Sequence, residues 1–161
     1  MISERLKNFL DKEAVPYQIV PHRRKMTAQE IAAEEHVSGW QVAKAVILKG
    51  WHDYFMAVTP ACREVDLTKL SRVTGYPRIK LAEEREFQNL FPDCELGAMP
   101  PFGKLYGISC YADWEILQAP EIWFNGGNLE ESVKMQTADY KWISDALFED
   151  IAAHTPVPWA A

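Results

Sequence analysis

Residues 39–51 read GWQVAKAVILKGW. From Val42 to Leu48 this run alternates Val42, Lys44, Val46 and Leu48 on one side with Ala43, Ala45 and Ile47 on the other, and both sides are apolar apart from Lys44. Two-sided apolar runs belong to strands buried inside a sheet. Lys44 breaks the pattern. An unpaired ammonium at such a position is costly to desolvate, so it needs a partner, a water-filled pocket or a chemical task.

Outward from this strand, Gly50-Trp51-His52-Asp53 reads as the turn of a hairpin whose second strand is DYFMAVTP, residues 53–60. Upstream, residues 3–13 carry Leu6, Phe9 and Leu10 at helical spacing, and VPYQIV (15–20) is a short strand. TAQEIAAEEHV (27–37) opens with Thr27 and Glu30 at capping-box spacing, and Ser38-Gly39 marks its end. Downstream, Asp66 caps a short helix that Gly75 ends, RIKLA (78–82) is a strand, and EEREFQNLF (83–91) is a helix. ISCYAD (108–113), EIWFN (121–125) and ESVKMQ (131–136) are strands, the last two joined by a Gly-Gly-Asn turn, and TADYKWISDALF (137–148) is a final helix. The long stretch PDCELGAMPPFGKLYG (92–107) is dense in Gly and Pro and reads as loop. These elements predict one α/β domain over 1–154, a mixed sheet or partial barrel in preference to a doubly wound fold, with 155–161 as a flexible tail.

The 161 residues suffice for one domain with its own core, and 48% hydrophobic with 25% charged residues is ordinary for a globular protein. No apolar run approaches the roughly 20 residues of a membrane span. Three cysteines without CxxC spacing point to reduced thiols and a cytoplasmic setting. A net charge of −6 argues against coating nucleic acid by bulk attraction. Two local basic clusters remain compatible with meeting one end of an RNA: His22-Arg23-Arg24-Lys25, and the set Lys69, Arg72, Arg78 and Lys80.

The common catalytic signatures are missing from the sequence: no P-loop, GxGxxG, HExxH or GxSxG is present, and the four histidines show no metal-ligand spacing. No cofactor and no metal is expected. Cys110 sits mid-strand and reads as a buried, inert thiol. Two segments carry possible chemistry. Gly97-Ala98-Met99-Pro100-Pro101-Phe102-Gly103 is a stiff glycine–proline loop, whose amides at Ala98, Met99, Phe102 and Gly103 are candidate donors to an oxyanion. Asn125-Gly126-Gly127-Asn128 follows a strand and is by itself a hairpin turn.

In order and spacing, the strand lysine Lys44, the block AVTPACREVDLTKL (57–70), the Gly97-x-x-x-Pro101-x-Gly103 loop and FNGG (124–127) resemble the YbaK/prolyl-tRNA-synthetase-associated family over about residues 15–143. That resemblance implies a mixed, barrel-like sheet flanked by helices, and hydrolysis of the ester joining a wrong amino acid to a tRNA, often tRNA-Pro. The partner would be the acceptor end of an aminoacyl-tRNA, with an aminoacyl-tRNA synthetase as a second partner. By the same resemblance Lys44 is the functional lysine, and Gly97, Ala98, Met99, Pro101 and Gly103 lie against the aminoacyl carbonyl. Asn125, Gly126 and Gly127 match the segment that closes the pocket on the far side. Beyond the resemblance, Asn128 and Ser132 are read as further substrate contacts, Met99, Leu129 and Ser132 as pocket lining, and Arg23 and Arg24, from their charge, as contacts to the acceptor stem. In this family the terminal ribose hydroxyl of the tRNA is thought to help orient the attacking water. Two positions depart from the family pattern, Ala98 where many relatives have Gly and Pro100 where many have Ser. They keep open a second reading, a non-catalytic module that binds tRNA or a partner. A small-molecule esterase is disfavoured by the lack of a recognisable nucleophile and base.

Overall fold

The computed structural model describes residues 1–24 and 27–154, so Lys25 and the expected tail 155–161 lie outside the described residues. Helix α1 (Glu4–Lys12) is capped by Ser3, whose hydroxyl accepts from the Leu6 amide, and it buries Leu6 and Leu10. Strand β1 (Tyr17–Pro21) precedes α2 (Ala28–Glu34). At α2, Thr27 accepts from the Glu30 amide, but the Glu30 carboxylate takes the Thr27 hydroxyl instead of reaching back to its amide. The chain leaves α2 through His36 in the left-handed region (φ 56°), ahead of Ser38-Gly39.

Strands β2 (Ala43–Gly50) and β3 (Asp53–Pro60) form the expected hairpin. Asp66 caps α3 (Leu67–Thr74) through the amides of Thr68 and Lys69. Then come β4 (Ile79–Leu81), the single turn α4 (Glu84–Phe87), β5 (Ser109–Asp113), β6 (Glu121–Asn125), β7 (Glu131–Gln136), α5 (Thr137–Ile143) and β8 (Leu147–Glu149). Two expectations are corrected here. The helix expected over 83–91 keeps only one α turn before a 3-10 turn at Gln88–Leu90. The last helix stops at Ile143, because residues 147–149 pair in parallel with β5 as an edge strand.

The strands form two sheets. Five strands run in the order β4-β2-β3-β5-β8, mixing antiparallel and parallel pairs, and three antiparallel strands run β1-β7-β6. A parallel bridge between Val42 and Trp123 links the start of β2 to β6, and the Trp123 amide donates to the Gln41 carbonyl. The barrel-like arrangement is therefore open, two sheets meeting along one seam. Ala43 and Ile47 of β2 enter the main core, with Leu6, Met56, Phe102, Phe124 and Tyr140, while Val46 and Leu48 pack with Phe55 and Leu70 beneath α3. Burial on both faces is what the two-sided run in β2 requires.

Candidate functional site

The structure gives Lys44 a partner. Its Nζ lies 3.0 Å from a carboxylate oxygen of Glu64, and its side chain is 17% exposed while that of Glu64 is 63% exposed. The ammonium thus reaches water at the edge of the fold, and the pair is of the solvent-accessible kind worth only about 0–1 kcal/mol. A competing anion or carbonyl can displace Glu64 at small cost. Glu64 lies 20 residues along the chain from Lys44, so no local spacing links the two in the sequence.

The stretch 92–107 is loop as expected, apart from a 3-10 turn at Gly103–Tyr106, but residues 98–103 are buried rather than at the surface. Gly97 is exposed, in the left-handed region (φ 84°), and every residue from Ala98 to Gly103 is buried. Phe102 is fully enclosed, edge-on to Phe9, Phe124 and Tyr140. The buried Tyr140 hydroxyl donates to the Pro101 carbonyl at 2.7 Å and clamps the loop from beneath. Two of the four candidate oxyanion donors are spent internally, Ala98 on the Glu95 carbonyl and Phe102 on the Pro100 carbonyl, and Gly103 is buried against Ile108 and Cys110. The Met99 amide has no hydrogen-bond partner among the described residues.

The loop and the β6–β7 turn are stitched together. Asn125 Nδ2 donates to the Gly97 carbonyl (3.3 Å), the Gly127 amide to the Ala98 carbonyl (3.0 Å), and the Glu95 amide to the Gly127 carbonyl (2.9 Å). Counting from the Val42–Trp123 bridge, Lys44 and Asn125 are each two residues further along strands running the same way. Continued past that single bridge, the register would set Lys44 level with Asn125 on one face. Ser132 is the register partner of Asn125 across β6–β7 and points the same way. On this face the Asn125 Oδ1 and the Ser132 Oγ are buried and have no partner among the described residues. Buried polar atoms normally find partners, so two orphans at one level mark a place for a polar ligand or water.

The two glycines serve the protein's own chain. A Cβ on Gly126 would lie 2.5 Å from Ile2 Cγ2, and one on Gly127 would lie 2.9 Å from Ser3 Cβ. The Ser3 amide donates to the Gly126 carbonyl at 2.7 Å. Residues 2–3 therefore fill the space that the missing side chains leave. Asn128 is also committed: its Nδ2 donates to the Met1 carbonyl and to Glu131, and its Oδ1 accepts from the Glu130 amide. Leu129 is buried, with its amide on the Glu95 carboxylate.

Arg24 sits beside this assembly, 3.3 Å from Glu95, the residue that also holds Leu129 and Gly127. Arg23 is almost wholly exposed, 3.9 Å from Glu34. Sequence reasoning missed Glu64, Glu95 and the inward Arg63–Glu115 pair, whose guanidinium also lies 4.6 Å over the Trp40 ring. Burial pushes the Cys110 thiol up to about 12 and the Cys94 thiol up to about 11, so neither is a nucleophile at neutral pH. No group of three or more His, Cys, Asp and Glu suited to a metal ion exists among the described residues. No helix among them is long and apolar enough to cross a membrane.

Comparison with known proteins places the chain in a family. Residues 22–142 match the family described as the aminoacyl-tRNA editing domain. A curated Escherichia coli (strain K12) protein, the multifunctional Ser/Thr-tRNA deacylase ProXp-y, is 30% identical over 142 residues, covering 85% of this chain and 84% of that protein. Among solved structures, one described as a candidate trans-editing enzyme for prolyl tRNA synthetase superposes with a TM-score of 0.82 at 22% identity, over 94% of this chain and 96% of that one. A crystal structure of a hypothetical protein superposes with a TM-score of 0.84 at 18% identity, over 93% of this chain and all of the other. With three quarters of its length matched by one family and a curated relative aligned nearly end to end, the chain belongs to the aminoacyl-tRNA editing domain family.

Proposed function

We propose that the protein is a trans-acting aminoacyl-tRNA deacylase whose reaction takes place on the face shared by Lys44, Asn125 and Ser132. The observation that carries this reading is the pair of buried, unpartnered acceptors, Asn125 Oδ1 and Ser132 Oγ, on a strand pair bridged to the strand that bears the Lys44 ammonium. An aminoacyl ester presents an α-ammonium, a carbonyl and, close by, a phosphate. The two acceptors suit the α-ammonium. Lys44, exchanging Glu64 for substrate, suits the phosphate or the ester carbonyl. The Met99 amide is the loop donor left for the oxyanion. Water adds to the carbonyl carbon, the tetrahedral oxyanion collapses, and the C–O bond to the ribose breaks. The ribose oxygen leaves with the proton that the water gives up. Because the ester is already activated, positioning and oxyanion stabilisation serve without a nucleophilic side chain.

The curated relative is named for serine and threonine, so seryl and threonyl esters are the first substrates to try. tRNA-Pro as the carrier and a synthetase as partner follow from the family resemblance and belong to the same proposal. The rival reading, a binding module, draws support from the engaged amides of Ala98 and Phe102. Incubation with a panel of mischarged tRNAs separates the two. Release of free amino acid supports the deacylase, whereas a mobility shift of tRNA that keeps its amino acid supports the binder.

A further inference from the structure

Away from this face, the far end of the β2–β3 hairpin concentrates positive charge on an otherwise acidic protein. Two adjoining hollows, of about 420 and 580 Å³, share Arg78 and Ile79. The first is lined also by Lys49, Trp51 and Lys80, the second by Arg72 on α3. Lys49 and Lys80 are register partners on β2 and β4, so their side chains project together. Lys49 meets Glu86 at 3.6 Å, and Lys80 adds its field to the same carboxylate. Arg72, Arg78 and Lys80 are exposed and form no ion pair among the described residues. Of the cluster expected from sequence, Lys69 drops out, because its ammonium is held by Asp150 and the Ala152 carbonyl. Lys49 and Lys80 act on one carboxylate while Arg72 and Arg78 add two more cations to the adjoining hollows, which in a chain of net charge −6 is segregation of charge rather than an evenly mixed surface.

Trp51 supplies a second, independent observation. It occupies the hairpin tip, 68% exposed, with φ at 56°. The left-handed region is natural for Gly or Asn in a tight turn and strained for a bulky side chain. The protein thus holds its indole out in solvent at a conformational cost, a signature that points to use rather than to packing.

We infer that Trp51 with Lys49, Arg72, Arg78 and Lys80 forms a docking surface for the RNA strand of the substrate, away from its aminoacylated end. This inference rests on the deacylase reading. The cations suit successive phosphates, and the indole suits the face of a base or the ribose beside it. Lys44 and Lys49 are five residues apart on one strand, about 17 Å at the usual rise, and project to its opposite faces, so the patch lies round the sheet edge from the reacting end. The surface would then fix the body of the RNA while the loop face handles its tip.

The test uses an uncharged RNA hairpin with a paired stem and a single-stranded 3′ end, titrated against the full chain between 50 and 200 mM salt. Three phosphate contacts at a slope of about 0.7–0.9 each make wild-type affinity fall about 20–40-fold more over that range than that of the triple variant Arg72→Gln, Arg78→Gln, Lys80→Gln. Trp51→Gly is expected to lose about tenfold in affinity while its melting temperature holds or rises, a combination that a merely structural tryptophan would not give. Should the triple variant fold poorly, Arg78→Gln alone is expected to show about a third of the slope change. Unchanged affinity and salt slope in the variants overturn the assignment. So does an unchanged RNA titration together with lost binding of poly-glutamate, which would make the surface one for an acidic protein. Hairpin binding that depends on the patch, without amino-acid release from any mischarged tRNA, supports the surface and rejects the hydrolytic reading.

Discussion

Replacing Gly126 by Ala separates two roles for the Gly-Gly turn. The new methyl would lie 2.5 Å from Ile2 Cγ2 and 3.0 Å from Ile2 Cβ, well inside contact distance, and Ile2 is only 5% exposed. Gly126 lies outside the left-handed region, so the change introduces no backbone strain and acts through the collision alone. Overpacking of this kind costs about 1–3 kcal/mol. Ile2→Ala by itself leaves a cavity and costs about 2–4 kcal/mol. Because Ile2→Ala also removes the atom struck at 2.5 Å, the double variant is expected to be more stable than the sum of the single effects by about 1 kcal/mol or more. Urea denaturation of the four proteins, with the m-value checked for constancy, measures this coupling. Additivity to within about 0.5 kcal/mol, or a Gly126→Ala protein as stable as the parent, would refute the seat for residues 2–3. A protein of full stability and lost activity would return the glycines to the substrate.

Tyr140→Phe removes the hydroxyl that holds the Pro101 carbonyl and keeps the ring against Phe102. A loss of about 1–3 kcal/mol in urea denaturation is expected, with kcat reduced and KM little changed, and a loss below about 0.5 kcal/mol would show the clamp idle. Native protein treated with iodoacetamide at pH 8 is expected to keep Cys94 and Cys110 unmodified by mass spectrometry, since burial holds both thiols protonated; rapid labelling of either would contradict the packing. The Lys69 ammonium holds the Asp150 carboxyl below its usual 3.8, so this group's contribution to stability is present above that value and lost as pH falls through the lower folded one. Lys69→Met is expected to flatten that part of the stability–pH curve, and an unchanged acid limb would show the pair to be inert.

Much of the fold was legible in local chemistry. The two-sided run in β2, the hairpin turn, the Asp66 cap of α3 and the amphipathic α1 each state their conformation within about a dozen residues. What local chemistry does not carry is long-range partnership. Leu147–Glu149 has the composition of a helix end and becomes a strand only because β5 offers it a parallel edge. Residues 98–103 look like a solvated loop, yet Phe102 is drawn into the aromatic cluster of α1, β6 and α5 and takes the prolines with it. At the candidate site the sequence named Asn125 and Ser132, which are cross-strand partners, and Lys44, on the strand bridged to β6. It could not foresee that Glu64 meets Lys44, or that residues 2–3 occupy the space beside Gly126 and Gly127.

Single-turnover hydrolysis of the best mischarged tRNA by wild-type and Lys44→Ala protein tests the central claim most directly. The exposed pair with Glu64 contributes at most about 1 kcal/mol to stability, so the variant is expected to melt close to the parent. Its rate of amino-acid release is expected to fall about 10²–10³-fold, the loss that follows removal of one charge-stabilising group at a reacting carbonyl. A folded Lys44→Ala protein that releases amino acid at the parental rate contradicts the account.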